Sequence, residues 1–223
     1  MERAAETARI GAGVAAILSV TVLFSAMDAT AKALTMRYDP VFVVWVRYAG
    51  QLAVALLFFA PRLRLVARTT RPGLQILRSA LLFLATAMFF TGFSKLPLAE
   101  VIAVGQIAPL AITALAALLL GERVGPWRWG AVAAGFLGAV LIIRPGAAGL
   151  GWAALYPLAG ALAFAGFNIA TRVLREGDSG WTTFFYTGMV GAAAATVAVP
   201  FHWAVPAPAD LALMALLVLF GAG

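Results

Sequence analysis

Apolar residues in this chain fall in runs of about twenty, the length at which a helix crosses a hydrocarbon core of roughly 30 Å. Short segments rich in arginine, aspartate, glycine and proline separate the runs. The pattern predicts spans near Ile10–Leu34, Val41–Ala60, Leu74–Ser94, Val101–Leu120, Trp127–Ile143, Trp152–Thr171 and Trp181–Val199, with an eighth beginning around Leu211. Pro40, Pro61, Pro72, Pro97, Pro126, Pro145 and Pro206 lie at or between these ends, where a missing backbone donor costs least. The first run is too long for the apolar region of a cleaved signal, so it reads as a retained helix. The fold class is all-α and polytopic in a membrane.

Composition narrows the picture by exclusion. Of 223 residues 63% are hydrophobic, against about 45–50% in soluble domains, and a water-soluble fold could not hide that surface. The absence of cysteine removes disulfides, thiolate metal sites and a cysteine nucleophile. The net charge of +7 sits in short loops between apolar runs, where lipid headgroups are the nearer counter-charge, so lipid and not nucleic acid is the expected partner. Arg3, Arg9, Arg62, Arg64, Arg68, Arg71, Arg78, Arg123, Arg128, Arg172 and Arg175 fall on one side of the predicted spans; Lys32, Arg37, Lys95 and Arg144 fall on the other. That bias predicts a cytoplasmic N-terminus; the expected location is a bacterial inner membrane.

The stretch Phe24–Leu34 matches Phe164–Leu174 at identical spacing: Phe24 with Phe164, Asp28 with Asn168, Lys32 with Arg172 and Leu34 with Leu174. One residue out of register, Asp39 meets Asp178, Trp45 meets Phe184 and Arg47 meets Tyr186. A repeat of five spans is odd, so the second copy enters the membrane in the opposite sense. Inverted repeats of this kind are how secondary transporters expose a midplane site alternately to each side. The first repeat covers 1–145 and is complete; the second, 146–223, is partial. Three stripes of small residues are expected to mark helix contacts: Gly11, Ala15 and Ser19; Gly130, Ala134 and Gly138; Gly188, Ala192 and Thr196.

Candidate chemistry is sparse. Asp28 and Arg47 are ionisable groups within spans, each costing on the order of 2.5–3.5 kcal/mol and needing a partner or a wet cavity. A rise of about 1.5 Å per residue puts both roughly 10–12 Å below the outer surface on adjacent antiparallel helices, where they can pair. Such a pair could tie two spans or bind substrate or protons. Lys32, one turn beyond Asp28, is expected to extend outward to the interface. Glu100 opens the fourth span, where the helix dipole favours a carboxylate. Tyr48, Gln51, Gln106, Asn168, Tyr186 and Thr187 need hydrogen-bond partners from protein, water or ligand. Of these, Tyr48, Gln106, Asn168 and Tyr186 join Asp28 and Arg47 as candidates for substrate binding or coupling. Pro109, three residues after Gln106, should free a backbone carbonyl beside it, and a broken helix next to a polar side chain is how transporters build sites.

The run Ser94-Lys95-Leu96-Pro97-Leu98-Ala99-Glu100, followed by Gln106, Pro109, Gly121-Glu122-Arg123, Trp127, Gly130, Gly135 and Gly138, resembles the closing part of an EamA domain. That domain belongs to the drug/metabolite transporter superfamily, whose full members carry two five-helix copies. The resemblance implies a ten-span protein of which seven to eight spans are present, and Gly223 falls inside the eighth. It further implies that transport calls for helices beyond this sequence, that the substrate is a small organic metabolite, and that homodimers are compatible with the fold. Members handle amino acids, nucleotide-like metabolites, vitamins and drugs. The Asp28–Lys32 stretch gives a slight hint, being similar to members assigned to uptake of S-adenosylmethionine or riboflavin.

Two other functions compete with a secondary transporter. An intramembrane enzyme needs clustered nucleophile, base or metal ligands, which one histidine, no cysteine and no paired acidic motif do not supply. No cofactor or metal is expected. A seven-span receptor or retinal protein would need a mid-membrane lysine, whereas Lys32 and Lys95 lie near span ends. The native chain lacks cysteine, so single cysteines at Arg68 and Tyr38 report topology cleanly. They are expected to react with impermeant thiol reagents from opposite sides of the membrane, and equal access from outside would remove the orientation.

Overall fold

Proline, aspartate and glycine punctuation becomes helix boundary. Asp39 caps the second helix by accepting from Val41 N at 2.8 Å, with Pro40 as its first residue. Pro72 and Pro126 open two later helices in the same way, and Gly121 closes another at φ 67°, a left-handed conformation that glycine adopts without strain. Ser179 caps a further helix through Thr182 N at 3.1 Å.

The computed structural model describes residues 2–143, 151–174 and 178–222, and side chains within them other than those of 2–10, 12, 17, 142 and 222. Its helices are α1 (Glu2–Thr35), α2 (Pro40–Phe59), the short α3 (Leu63–Val66), α4 (Pro72–Lys95), α5 (Leu98–Gly105), α6 (Ile107–Leu120), α7 (Pro126–Ile143), α8 (Leu155–Leu174), α9 (Gly180–Ala198) and α10 (Leu211–Ala222). The basic side chains of Arg3, Arg9, Arg144 and Arg175, Pro145, and the expected repeat boundary at 145–146 lie outside the described residues.

Among the described residues six helical segments are long and apolar enough to cross a membrane: Gly13–Thr35, Pro40–Val66, Pro72–Lys95, Leu98–Leu120, Gly151–Leu174 and Gly180–Phe201. The expected span at Trp127–Ile143 is helical but is not among them. At 18 residues α7 reaches about 27 Å, and its first turn carries Trp127, Arg128 and Trp129, which suit an interface. The eighth segment forms where it was expected, as α10.

The bundle is organised on α4, which packs along α8 and α9 and more lightly on α1 and α2. In turn α2 lies along α9, and α10 fills the space between α1 and α2. Close approach depends on small residues. A Cβ at Gly191 would meet the Tyr48 ring at 2.1 Å, and one at Gly188 would meet the backbone nitrogen of Leu52 at 3.2 Å, so the stripe on α9 is the surface that receives α2. The other two stripes do not behave as expected. Gly130 and Gly138 have nothing within 4 Å, and α7 turns Gly135 against Leu110 instead; Gly11 is likewise clear of neighbours. Small-residue spacing identifies a face able to pack, and the neighbouring helix decides whether it does.

Two basic residues also depart from expectation. Lys32 Nζ turns inward and donates to Phe93 O at 2.6 Å and Leu96 O at 2.9 Å. A cation there satisfies carbonyls that the end of α4 leaves unpaired and complements its dipole, which outweighs reaching the interface. Arg78 is not a loop residue: it lies within α4, is only 7% exposed, and is enclosed by α8 and α9.

Polar clasps close both ends of the bundle. At the α1–α2 loop, Arg37 pairs with Asp210, Tyr38 Oη donates to the same carboxylate at 2.8 Å, and His202 Nδ1 lies 3.1 Å from Asp39. At the opposite end Asp178 accepts from Thr69, from Thr70 N at 3.3 Å and from Gln75 Nε2 at 2.8 Å. Desolvation pushes the Asp178 carboxyl up, but these hydrogen bonds and the nearby Arg71 charge outweigh it and hold its pKa below the usual carboxylate range. The clasp therefore contributes fully above about pH 4, the unfolded value, and is lost as pH falls through the lower folded one. Thermal unfolding in detergent between pH 6 and pH 3 is expected to show a steeper loss of stability for the native protein than for Asp178→Asn. Parallel profiles would mean that Asp178 is not the titrating clasp.

Candidate functional site

Between α1, α2, α4, α5, α6 and α8 lies a cavity of about 230 Å³. Its wall is mostly apolar, with five phenylalanines, Phe24, Phe89, Phe90, Phe93 and Phe164, and four polar residues line it: Asp28, Arg47, Thr86 and Gln106. An apolar enclosure with a few convergent polar groups is the general form of a small-molecule site.

The helix break expected at Gln106 is what places that side chain. Pro109 cannot donate to the carbonyl of Gly105, so α5 ends at Gly105 and α6 starts at Ile107, with Gln106 at the junction. A Cβ at Gly105 would stand 3.1 Å from the Phe89 ring, so the break also lets α5 press against α4.

Arg47 is 5% exposed and lines the cavity. Its Nη1 donates to Thr86 Oγ1 at 3.3 Å, its guanidinium lies 4.6 Å over the Tyr48 ring, and its Nε has no hydrogen-bond partner among the described residues. Thr86 Oγ1 also donates to Leu82 O at 2.9 Å. A hydroxyl has one proton and two lone pairs. With the proton committed to Leu82, Tyr48 must be the donor in the 2.9 Å bond between its Oη and Thr86. One threonine thus receives both Tyr48 and Arg47 and fixes the direction of each.

Asp28 and Arg47 share this cavity but form no ion pair, and Asp28 makes no hydrogen bond among the described residues; Arg47 is the opposite charge that acts on it. The expected direct pairing is therefore corrected. Helices α1 and α2 touch little, because α1 packs on α10 and α4, so the two charges face one another across the cavity. Nor does Asp28 pair with Lys32, which is committed to the end of α4.

Asn168 and Tyr186 stand elsewhere. Asn168 Nδ2 donates one turn back to Phe164 O at 2.8 Å, and Tyr186 Oη reaches Ala67 O at 3.2 Å, tying α9 to the end of α3. Tyr48 is fully buried behind Arg47 as its support. Sequence reasoning missed Thr86, the phenylalanine wall and the depth of Arg78. A position six residues past Pro72, inside an apolar run, was the available signal for the last.

The Tyr48–Thr86 bond is open to a double-mutant cycle. Tyr48→Phe and Thr86→Val are each expected to lower stability by about 1–2 kcal/mol, with a coupling of about 1 kcal/mol because they remove the same bond. Strict additivity would show that the hydroxyls do not meet.

Membrane-crossing helices around a partly polar cavity, one of them broken at a polar side chain, define an integral membrane protein of the transporter class. The chain belongs to the EamA-like transporter family, whose model matches residues 11–144. It is 34% identical over 222 residues to a riboflavin transporter of Rhizobium johnstonii, covering 96% of this chain and 72% of that protein. It is 29% identical over 217 residues to an S-adenosylmethionine uptake transporter of Rickettsia bellii, covering 97% and 74%. A riboflavin transporter of Vibrio cholerae matches at 30% over 142 residues, covering 61% of this chain and 48% of its own length. A solved crystal structure shares the fold, with a TM-score of 0.61 at 20% identity over 92% of this chain and 77% of the other. The protein is a small-metabolite transporter and not an enzyme.

Proposed function

We propose that the aromatic cavity binds a metabolite bearing a flat ring and passes it across a bacterial inner membrane by alternating access, with the N-terminus cytoplasmic. The observation that carries this reading is the cavity wall itself. Five phenylalanines offer faces on which a planar heterocycle stacks, while Arg47, Asp28 and Gln106 provide a donor fork, an acceptor and an amide to fix orientation. The relatives named for riboflavin and for S-adenosylmethionine handle molecules that each contain such a ring, and ring stacking is the chemistry they have in common.

Residues 1–145 and 146–223 serve in this reading as inverted repeats. Packing supports it: if α1 corresponds to α8 and α4 to α10, then α1 against α10 is the counterpart of α8 against α4, and α2 against α10 is the counterpart of α9 against α4. Helices α2 and α9 would cross at the pseudo-symmetry axis. Asp39 and Asp178, matched in sequence, both stand immediately before these two helices.

Riboflavin fluorescence tests the site without requiring transport. Titrated with detergent-solubilised protein, riboflavin is expected to be quenched saturably, with S-adenosylmethionine as competitor, and Phe89→Ala with Phe164→Ala to weaken binding by about tenfold or more. Quenching that does not saturate, or that survives loss of both rings, would overturn the ring-binding reading.

A further inference from the structure

Arg78 is a second arginine that the fold buries, and every contact that holds it is neutral. Its Nε donates to Thr171 Oγ1 on α8 at 2.8 Å, its Nη1 donates to Thr187 Oγ1 on α9 at 3.1 Å, and its guanidinium lies 4.4 Å over the Phe167 ring. Both threonines spend their own protons on their own helices, Thr171 on Phe167 O at 2.7 Å and Thr187 on Thr183 O at 2.8 Å, so they offer lone pairs and no charge. Among the described residues the carboxylates that form ion pairs are Asp210, Glu122 and Asp39, none with Arg78. Asp178, the carboxylate that clasps this end of α4, has its oxygens engaged by Thr69, Thr70 and Gln75.

A guanidinium carries five N–H donors, and two are used here. The remaining ones include all of Nη2, a planar fork of the kind that takes a carboxylate or phosphate. Among the described residues three buried side-chain oxygens have no hydrogen-bond partner: Gln75 Oε1 and Ser79 Oγ, which flank Arg78 in the sequence of α4, and Gln51 Oε1 on α2. A buried cation held by neutral contacts alone is costly in the membrane interior, and a site that accepts an anionic ligand meets that cost when the ligand is bound.

The position of Arg78 relative to the cavity gives this chemistry a role. Leu82, one turn further along α4, is part of the cavity wall, and so is Phe164, which stacks on Phe167 at 5.6 Å. Arg78 therefore stands directly below the cavity, separated from it by Leu82 and the two stacked rings. Its surroundings duplicate those of Arg47, which is likewise held by a threonine hydroxyl and laid over an aromatic ring. Thr86, which receives Arg47, is eight residues from Arg78 on α4, about 12 Å along the helix.

We propose that Arg78 is a second anion-binding station below the cavity, where the carboxylate or phosphate group of the carried metabolite rests after leaving Arg47. Leu82 and the Phe164–Phe167 stack separate the two stations in this conformation. The inference rests on the reading of the cavity as the substrate path, and it adds that the favoured substrate bears an oxyanion. A neutral ring compound would engage the phenylalanine wall without using Arg78.

Riboflavin and riboflavin 5′-phosphate share a ring and differ by the anion, so their affinities for the full chain in a phosphate-free glycoside detergent separate the two ideas. The phosphate ester is expected to bind at least tenfold more tightly than riboflavin. Arg78→Gln should weaken that preference, with Arg47 remaining to receive the anion, while leaving riboflavin binding unchanged, and Arg78→Lys should retain more of it. Inorganic phosphate, at ionic strength matched with chloride, is expected to raise the melting temperature of Arg47→Gln, in which Arg78 is the remaining station, but not that of Arg47→Gln combined with Arg78→Gln. Equal binding of the two flavins by the native protein, or equal weakening of both by Arg78→Gln together with a lowered melting temperature, would overturn the proposal and make Arg78 a tether between helices. Should neither flavin bind, the ring-binding reading fails, and the phosphate response alone decides Arg78: its presence in Arg47→Gln and loss in the double variant upholds the station, its absence from Arg47→Gln removes it. Stabilisation by added phosphatidylglycerol that the flavin phosphate cannot displace would assign the site to lipid and overturn the role in transport. If Arg78→Gln does not fold, Arg78→Lys must still weaken the phosphate response, since it keeps the charge and loses the fork.

Discussion

A hydrocarbon environment supplies no hydrogen bonds, so each polar group in a span must find its partner inside the protein or line a space that water or a ligand can enter. Much of this structure follows from how α4 answers that constraint. Thr86 turns one hydroxyl into a junction for Leu82, Tyr48 and Arg47, and Arg78 is held by threonines from two other helices. Lys32 closes the far end of the same helix by satisfying its terminal carbonyls. Removing any of these would leave a charge or a backbone oxygen exposed to lipid or buried alone.

Satisfying a polar face on a central helix requires neighbours to come close, and glycine and alanine allow it. Gly191 and Gly188 on α9 admit Tyr48 and the backbone of α2, while on α8 Gly160 lies against the Phe89 ring and Ala161 and Ala165 are fully buried. Bulky residues are then concentrated where helices part. Phe24 of α1, Phe89, Phe90 and Phe93 of α4 and Phe164 of α8 line the cavity. Packing and binding thus draw on the same division of the sequence into small and large apolar positions.

On the proposed reading of the cavity as the substrate path, the two buried arginines give it a direction. Asp28 and Arg47 face each other across it without pairing, so neither charge is fully spent on the other. On that reading, a molecule that enters finds a cation held by Thr86 and Tyr48, a carboxylate on α1, and an amide at the break between α5 and α6. A transporter benefits from charges that are held in place but not neutralised, since a complete internal ion pair would have little left for a substrate.

Span positions, the break at Gln106, the caps at Asp39 and Gly121 and membership of the transporter class were legible in the sequence, because each depends on local chemistry: run length, proline's missing donor, glycine's access to positive φ. The same local reasoning marked Asp28 and Arg47 as residues that needed an explanation. It could not say where their side chains would point. Arg47 turns to Thr86 across 39 positions of sequence, Lys32 to Phe93 across 61, and Arg78 to Thr171 and Thr187 across 93 and 109. Tyr186 and Asn168 looked equivalent to Arg47 and Asp28 by register, yet they bond to Ala67 and Phe164 away from the cavity. The sequence determined which polar groups enter the membrane. Only the tertiary structure decided their partners, because a hydrogen bond depends on which helix lies opposite, and that is set by the packing of the whole bundle.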